Sequence, residues 1–196
     1  MRLNDSLRAE LRQELKAERF DITPEGVYFP RNGININGEY FARVNGGGWE
    51  KEGDNLVVNE GLVHVLNVAL GATAKPAGYF LALFSGSTTP AANWTAASFA
   101  AVANEIVSQT EGYTGATRPA WTPAVATTGS IDNLASAAQM TMATSSTLNV
   151  TGAALLTNSQ RGGTTGVLVS ASAFAAPRVF QAGDLYELGY RLNATV

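Results

Sequence analysis

Few side chains in this sequence are suited to acid–base or nucleophilic chemistry. The only histidine, His64, sits among valines and leucines in a stretch whose pattern predicts a helix. A histidine that acts as a general base needs a nucleophile and an orienting carboxylate, and no motif supplies them. The segment Leu83–Ser87 resembles the nucleophile elbow G-x-S-x-G, but its first position is leucine. His64 is therefore interpreted as a packed or partly exposed helical residue, and no catalytic residue is predicted.

Carboxylates are sparse after residue 60. Glycoside hydrolysis requires two carboxylates that flank the scissile bond. No two of the carboxylates in this region are close enough in sequence to form an acidic motif. They are Glu105, Glu111, Asp132, Asp184 and Glu187. The pair Asp132-Asn133 lacks the rest of a calcium loop and fits a turn better. With no cysteine and a single histidine, the sequence predicts no metal site, no cofactor and no disulfide. A wall hydrolase is the weakest functional alternative, and the protein is predicted not to be an enzyme.

The charged side chains are concentrated at one end of the 196-residue chain, which has a net charge of −3. Residues 1–60 contain 8 Lys/Arg and 11 Asp/Glu. The remaining 136 residues contain 5 Lys/Arg and 5 Asp/Glu, so that about 7% of them are charged. A typical globular domain carries roughly 25% charged residues. Charge is depleted from interface cores, so this composition favours an assembly subunit. The alternative is an exported β-protein with a hydroxyl-rich surface.

The same composition argues against two classes of partner. A net negative chain has no general basic footprint for nucleic acid. Its first residues lack the apolar run of a signal peptide, and no stretch approaches the ~18 apolar residues of a membrane span. We therefore expect a protein made in the cytoplasm that binds neither nucleic acid nor membrane.

The N-terminal residues predict a helix from about Asp5 to Glu18. Its leucines recur every four residues, at Leu3, Leu7, Leu11 and Leu15. At 3.6 residues per turn this stripe drifts by ~40° per step, which is unsuited to a long coiled coil. It suits a short helix laid on a surface, either on its own domain or as a projecting arm. In the second reading Leu7, Leu11 and Leu15 are the anchors.

Short strands and tight turns are predicted between Ile22 and Leu56. The extended candidates are Val27–Phe29, Ile34–Ile36 and Glu39–Val44. Asn32-Gly33 and Asn37-Gly38 provide the positive φ angles of two-residue hairpin turns. Gly46–Gly48 form a flexible link before Trp49 and lack the Lys and Ser/Thr of a phosphate loop. Residues 1–58 are thus predicted to form an arm of one helix and a β-ribbon.

Residues 59–196 are predicted to form one β-domain that begins with a helix. That helix runs from Glu60 to Leu70, with Asn59 as its N-cap, Gly71 as its left-handed C′ residue and an apolar face that includes Leu62, Val65 and Leu66. Thr95–Ala103 form a second short helix or a loop, and Gln181–Asp184 a turn. One face of the last strand is predicted to be buried. The strand candidates are Tyr79–Phe84, Glu105–Ser108, Ala120–Val125, Leu134–Met142, Thr147–Leu156, Val167–Phe174 and Leu185–Ala194. This pattern predicts a mainly β protein, an antiparallel β-sandwich of jelly-roll or immunoglobulin-like type.

The aromatic residues allow two interpretations. Tyr79, Trp94, Tyr113 and Trp121 could stack on sugar rings, but the same side chains stabilise β-cores through the area they bury. Core or interface packing is favoured over a glycan platform. Trp49, Trp94 and Trp121 are therefore predicted to contribute to an interface.

Several segments of the second region carry a resemblance to a known family. They are Asn59-Glu60-Gly61-Leu62, Tyr79–Gly86, Arg118–Pro123, Ile131–Ser136, Gly166–Ala171 and Ala182-Gly183-Asp184. From Asn59 to Val196 the chain resembles a small virion protein of tailed bacteriophages and prophages, similar to head decoration (cement) proteins. These are β-sandwich subunits that bind outside the capsid shell.

The resemblance implies a structural function. A capsid decoration protein stabilises the head by binding across capsomer junctions of the assembled shell. The implied partners are the major capsid protein or other virion proteins, together with identical copies in a trimer or dimer. The implied location is the virion. The alternatives are a neck, collar or tail-tip structural protein, or a receptor- or glycan-binding module.

Overall fold

The computed structural model describes residues 20–22, 24, 28–30 and 34–195. The predicted helix Asp5–Glu18, with Leu7, Leu11 and Leu15, lies outside these residues, as does the predicted turn Asn32-Gly33. The chain divides into two compact units, Met1–Asn35 with Ala194–Val196 and Ile36–Asn193. In the first unit, β1 (Phe20–Ile22) pairs antiparallel with β2 (Tyr28–Pro30), which forms a short β-ribbon.

The larger unit contains a six-stranded sheet. Its strands follow the order β4-β3-β13-β10-β7, and β9 also pairs with β13. Their bounds are β3 Asn35–Val44, β4 Glu50–Asp54, β7 Gly112–Tyr113, β9 Ser130–Asp132, β10 Ala138–Ala143 and β13 Leu185–Thr195. The pairs β3–β4, β10–β13, β10–β7 and β13–β9 are antiparallel.

A second, five-stranded sheet has the order β5-β12-β11-β6-β8. The bounds are β5 Leu56–Val57, β6 Tyr79–Phe84, β8 Ala120–Trp121, β11 Leu148–Leu156 and β12 Leu168–Phe180. All four pairings are antiparallel. At one place the sheets are joined by a buried carboxylate, because Glu52 on β4 accepts hydrogen bonds from Arg178 on β12 and from the Tyr186 hydroxyl on β13.

The two sheets enclose the main core, which confirms the predicted mainly β, antiparallel sandwich. Alternate residues of each strand point to the same face. Tyr40, Tyr186 and Tyr190 of the six-stranded sheet therefore meet Leu81 and Leu155 of the five-stranded sheet, and all five are 0–1% exposed. The Tyr40 and Tyr190 rings lie 4.7 Å apart.

Two helices lie on the five-stranded sheet. The helix α2 (Ala96–Val102) covers its outer face and forms a second core there with Phe84 and Trp94. The helix α1 (Asn59–Ala69) crosses the end of the sheet at which β12 and β6 begin. A 3-10 helix, Leu134–Ser136, precedes β10. Among the helices that the structure describes, none has the length and apolarity needed to cross a membrane.

The predicted turn at Asn37-Gly38 is wrong, because β3 runs through both residues as one ten-residue strand. Gly38 instead allows the close approach of Tyr190, since a Cβ at Gly38 would lie 2.5 Å from the Tyr190 hydroxyl. The hairpin turn occurs at Asn45-Gly46, where both φ angles are positive (52° and 73°). As a result β3 and β4 belong to the six-stranded sheet, and the larger unit begins at Ile36 rather than at residue 59.

Other predicted elements differ in their extent. Glu105–Ser108 is not a strand and contributes only an isolated bridge between Glu105 and Phe84. The strand predicted over Ala120–Val125 is limited to two residues, Leu134–Met142 divides into the 3-10 helix and β10, and β12 extends to Phe180. Both faces of β13 are buried from Tyr186 to Tyr190, because Glu187 on the second face pairs with Arg43.

The ends of α1 also differ from the prediction. Its N-cap is Val58, which provides no side-chain hydrogen bond, rather than Asn59. Gly71 does not have a positive φ, and Leu70 is the C-cap residue. The predicted short helix at Thr95–Ala103 is confirmed as α2, where Thr95 and Ser98 form a capping box. The predicted turn Gln181–Asp184 is confirmed, with Gly183 at φ 89°.

Candidate functional site

The helix α1 is attached to the sandwich by its polar and small residues. Gly61 lies directly on β12, since a Cβ at this position would be 2.0 Å from the carbonyl oxygen of Val169. The Glu60 carboxylate accepts hydrogen bonds from the backbone N–H groups of Ala96 (2.8 Å) and Leu168 (2.7 Å). One carboxylate thus links α1 to the start of α2 and to the start of β12.

His64 provides the third attachment. Its Nε2 atom lies 3.0 Å from the hydroxyl oxygen of Tyr79, and the two rings meet edge to face at 5.8 Å. Burial lowers the pKa of His64, while the Glu60 carboxylate opposes the shift. Burial raises the pKa of Tyr79. Both groups are therefore neutral near pH 7, and their hydrogen bond serves to hold the helix.

Apolar residues on one side of α1 point away from the protein, whereas Val65 and Val68 are half-buried. Gly61 and His64 are the buried residues of this helix. In contrast, Leu62 is 38%, Val63 58% and Leu66 56% exposed, and Leu70 just after the helix is 85% exposed. These four residues form what we call the α1 crest. The sequence has no Asp, Glu, Lys or Arg between Glu60 and Lys75, so the crest is an uncharged apolar surface.

A cavity of about 640 Å³ lies beside α1, at the same end of the sandwich. Val65 of α1 lines one side, and Tyr79, Phe80 and Trp121 line the other. The Tyr79 and Trp121 rings are perpendicular, with centroids 6.0 Å apart, and the Trp121 indole N–H donates to the carbonyl oxygen of Tyr190 at 3.0 Å. The aromatic wall is therefore fixed in place. The remaining lining residues are Lys75, Pro76, Ala77, Gly78, Ala120, Thr122, Pro123, Ile131, Leu155, Val169 and Leu192.

A fully buried ion pair secures the loops beside α2. Arg118 donates to both carboxylate oxygens of Glu105 at 2.7 Å, and it donates a third hydrogen bond to the carbonyl oxygen of Asn158. Glu105 also accepts from the backbone N–H of Gly162 at 3.0 Å. Both charged groups are thus satisfied within the protein, as buried charges require.

Arg161 holds the adjacent loop through backbone carbonyl groups. Its guanidinium lies 3.7 Å from the centroid of the Tyr113 ring and donates to the carbonyl oxygens of Tyr113, Gly115, Ile106 and Ser108. Burial raises the pKa of Tyr113 to about 12, so its phenol stays protonated at neutral pH. Arg161 therefore serves to hold the backbone of the neighbouring loop, and the neutral Tyr113 phenol is not an ionised nucleophile.

The other carboxylates that the sequence singled out also have structural partners. Arg43 donates two hydrogen bonds to Glu187, at 2.6 and 2.8 Å, and lowers its pKa. Hydrogen bonds from Ser145 and Thr144 lower the pKa of Glu111. Asp132 pairs with Arg191, and Asp184 accepts from Asn45 and from the backbone N–H of Gln181. Across the described residues, no three His, Cys, Asp or Glu side chains converge as a metal site would need.

The three tryptophans predicted for an interface occupy different environments. Trp94 is 6% exposed and meets Phe84 edge to face, so its ring is part of the second core. Trp121 is also buried and contributes to the cavity wall. Trp49 is at the surface, 37% exposed, with the Arg43 guanidinium 4.9 Å from its ring centroid. Of these three tryptophans, Trp49 is the one whose ring is exposed on the outer surface.

Sequence reasoning missed two features of this site. The Arg118–Glu105 pair joins residues that no local motif connects. The outward direction of the α1 crest was also missed, although a signal for it exists. On a helical wheel with 100° per residue, Glu60, Gly61 and His64 share one side and Leu62, Leu66 and Leu70 the other. A glycine grouped with polar side chains on one side indicates a close backbone contact there.

Comparison with known proteins adds no relative. A scan against models of protein families finds no match, and a search of curated proteins finds no similar chain.

Proposed function

We propose that this protein is a structural subunit of a tailed-bacteriophage particle that decorates the outside of the head and binds across capsomer junctions. In this proposal the protein acts by association with virion proteins and with its own copies, and its location is the virion. The alternative positions are the neck, the collar or the tail. The proposal rests on the resemblance described above and on the surface of the folded chain.

The observation that carries the proposal is the α1 crest. A helix that turns leucines and valines toward solvent leaves apolar surface that association can cover. Full burial of a leucine or valine is worth about 1.5–3 kcal/mol, so four half-exposed side chains contribute about 4 kcal/mol per copy. The loss of translational and rotational freedom when two proteins associate costs about 4–15 kcal/mol, which is as large as this contribution or larger. A contact of this strength is weak alone and becomes effective when it is repeated on a lattice, where linked contacts reinforce one another.

The arrangement of the charges supports the same proposal. Arg118, Glu105, Arg43 and Glu187 are engaged in ion pairs within the protein, and Arg161 in backbone hydrogen bonds. The surface after residue 60 is therefore left mainly to hydroxyl, amide and small apolar side chains. Such a surface can pack against neighbours without burying unpaired charge.

Two further segments are candidates for the contact with the shell. Trp49 presents its ring beside the β3–β4 turn, next to the Arg43 guanidinium. The leucine stripe of residues 3–15 is the other candidate, from its sequence pattern. Aromatic residues and arginine are enriched at protein interfaces.

The test is attachment to particles. Tagged full-length protein is mixed with tailed-phage heads that lack it, and bound protein is measured by sedimentation and located by electron microscopy. We expect regular labelling of the head, with weaker attachment after deletion of residues 2–20 and unchanged thermal unfolding of the sandwich. Full-length protein that binds neither head nor neck nor tail would contradict the proposal.

A receptor- or glycan-binding role is a second candidate, since the cavity beside α1 has an aromatic wall. Tyr79 and Trp121 line that wall, whereas Trp94 and Tyr113 are buried in the cores. Lys75 and Thr122 are the lining residues with polar side chains other than the Tyr79 hydroxyl and the Trp121 indole. A sugar carries several hydroxyl groups, and each hydroxyl that is buried without a hydrogen-bond partner costs binding free energy. We therefore expect no binding on a glycan array, and saturable binding that the Thr122→Val variant loses would favour the second candidate.

A further inference from the structure

The cavity beside α1 reaches the main core of the sandwich. Leu155 and Val169 line it and belong to that core, where they are 1% and 2% exposed. Ile131 and Leu192, which come from the six-stranded sheet, line the same space. All the lining residues belong to the larger unit, Ile36–Asn193. The cavity is therefore a space between the two sheets of one protomer, at the end of the sandwich.

The volume of the cavity is that of a small-molecule site. Pockets for small ligands measure about 300–1,000 Å³, and this cavity has a volume of about 640 Å³. An apolar cavity of about 150 Å³ already holds a benzene molecule, so the space is large enough for a hydrocarbon chain of about 12 carbon atoms. A protein partner would need about 800 Å² of contact surface on each side, whereas a small ligand needs only the cavity itself.

The walls of the cavity offer few hydrogen bonds to a ligand. Four of the lining residues have polar groups in their side chains, namely Lys75, Tyr79, Trp121 and Thr122. The Tyr79 hydroxyl and the Trp121 indole N–H already form hydrogen bonds within the protein. A polar group that leaves water without finding a hydrogen-bond partner costs free energy. The part of a ligand that lies inside the cavity is therefore expected to be hydrocarbon.

Lys75 places one positive charge at the cavity. The described residues contain seven Lys and Arg side chains, and the other six bind carboxylates or backbone carbonyl groups. Within the described part of the chain, no carboxylate lies within ion-pair distance of Lys75. The sequence has no Asp or Glu from residue 61 to residue 104. An anion at the mouth of the cavity would therefore meet a cation and no nearby carboxylate of the same chain segment.

We propose that the cavity beside α1 binds a single-chain fatty acid, with the hydrocarbon tail between the two sheets and the carboxylate beside the Lys75 ammonium group. The apolar lining accepts the tail, and Tyr79 and Trp121 form the wall along which it lies. The exposed Lys75 accepts the charged end without removing it from water. The inference goes beyond the proposed function and does not depend on it, because every group that it uses lies in one protomer.

The first test measures the binding of dodecanoate to the full-length protein by isothermal titration calorimetry, below the concentration at which dodecanoate forms micelles. We expect saturable binding of one dodecanoate per chain. Ala77→Trp and, separately, Val65→Trp place a large side chain at the cavity from two different elements, and each is expected to weaken binding at least about tenfold. The matched control is Ala176→Trp, because Ala176 is exposed on β12 and does not line the cavity. Thermal unfolding checks that the three variants are folded.

The second test separates the charge of Lys75 from the apolar contact. Lys75→Gln removes the charge and keeps an extended polar side chain. Dodecanoate is expected to bind this variant about two- to fivefold more weakly, which is the strength of an exposed ion pair. Dodecanol has the same tail and no charge, so it should bind the variant and the wild-type protein equally. Added salt should reduce the difference for dodecanoate, because it screens exposed charges.

Several results would overturn the inference. These are no saturable binding of dodecanoate by the wild-type protein, and binding that neither cavity variant weakens. An equal effect of Lys75→Gln on dodecanoate and dodecanol would overturn the assignment of the carboxylate to Lys75. Sedimentation with phosphatidylglycerol vesicles is expected to leave the protein in the supernatant, and binding to vesicles but not to dodecanoate would assign the surface to a membrane instead. These assays contain no phage particles, so their failure is distinguishable from a failure of the proposed function.

Discussion

The helices α1 and α2 lie on the same five-stranded sheet and use their apolar residues in opposite ways. In α2, Phe99 is fully buried against Phe84, with ring centroids 6.1 Å apart, and Ala96 is 1% exposed. In α1, which is four residues longer, Gly61 and His64 face the sheet while the leucines face solvent. The apolar side chains of α2 are thus buried inside the protein, whereas the leucines of α1 remain exposed to solvent.

The comparison shows that a helix can be held in place without its apolar face. Helix α1 is held by a close backbone contact at Gly61, by a shared carboxylate at Glu60 and by the hydrogen bond between His64 and Tyr79. These contacts occupy one side of the helix and leave the crest free for another partner. We expect α2 to determine the stability of the protomer and the α1 crest to determine its association.

The largest effect is expected when α2 loses its anchor. Phe99→Ala removes a fully buried ring from the second core and should lower the free energy of unfolding by about 3–5 kcal/mol. The measurement is chemical denaturation. Val102→Ala on the same helix is the control, since Val102 is 36% exposed, and an equal loss in both variants would refute the assignment of α2 as the packed helix.

Gly61→Ala should displace α1, because the added methyl group would overlap the backbone of Val169. Overpacking of this kind costs about 1–3 kcal/mol. Gly48→Ala is the matched control, since a Cβ at Gly48 meets nothing within 4 Å. Hydrogen exchange of the α1 amides would locate the effect, and unchanged exchange there would show that the close contact is not needed.

The two helix N-termini should respond differently to the loss of a side chain. Thr95→Ala removes the capping box of α2 and should cost about 1 kcal/mol. Asn59→Ala should cost much less, because α1 has no side-chain hydrogen bond at its cap. If chemical denaturation gives similar losses of unfolding free energy for the two variants, the side chain of Asn59 does cap α1.

Acidification should loosen α1 through His64. Burial lowers the pKa of His64 in the folded protein, below the ordinary value of about 6.5. The unfolded chain therefore binds a proton more readily, so the contribution of His64 is present above pH ~6.5 and decreases as the pH falls toward 5. His64→Gln should flatten this part of the stability curve, measured by denaturation from pH 7 to 5. An unchanged slope would exclude His64 as its source.

The smallest effect is expected on the α1 crest itself. Val63→Thr changes a side chain that is 58% exposed, and exposed positions usually alter stability by less than about 0.5 kcal/mol. The measurement is thermal unfolding at a protein concentration where the chain is monomeric. A loss of 2 kcal/mol or more would mean that the crest is packed within the protomer.

Much of the fold is predictable because local patterns control it. The strand Tyr79–Phe84 has the predicted bounds, and the last strand and the helix α1 are shifted by one residue at their ends. Errors arise where a distant residue decides the conformation. Asn37-Gly38 has the sequence of a turn, but Tyr190 packs against Gly38 and keeps the strand continuous. Glu187 has the character of a solvent-facing residue, but Arg43 pairs with it and allows both faces of β13 to be buried.

The candidate site was predictable only in part. The apolar residues of α1 were identified from their spacing, whereas the cavity beside them depends on Trp121, Ile131 and Leu192, which come from separate strands. Trp94 and Trp121 could not be assigned to core or surface from the sequence. Trp121 packs against Tyr190, which lies 69 residues away along the chain. Trp94 packs against Phe84 across the loop between β6 and α2, whose path the local pattern does not determine.

The sequence by itself determined that the chain is mainly β with a helix close to residues 60–70 and a short helix or loop at Thr95–Ala103. It also determined that the charges are concentrated near the N-terminus, and which residues share a side of α1. Those properties follow from composition and from periods of two and 3.6 residues, which are local. Only the tertiary structure decided which side of α1 meets the sheet. The reason is that a helical period groups residues on a face, while the direction of that face depends on contacts such as Gly61 with Val169 and His64 with Tyr79, which form only when distant strands come together.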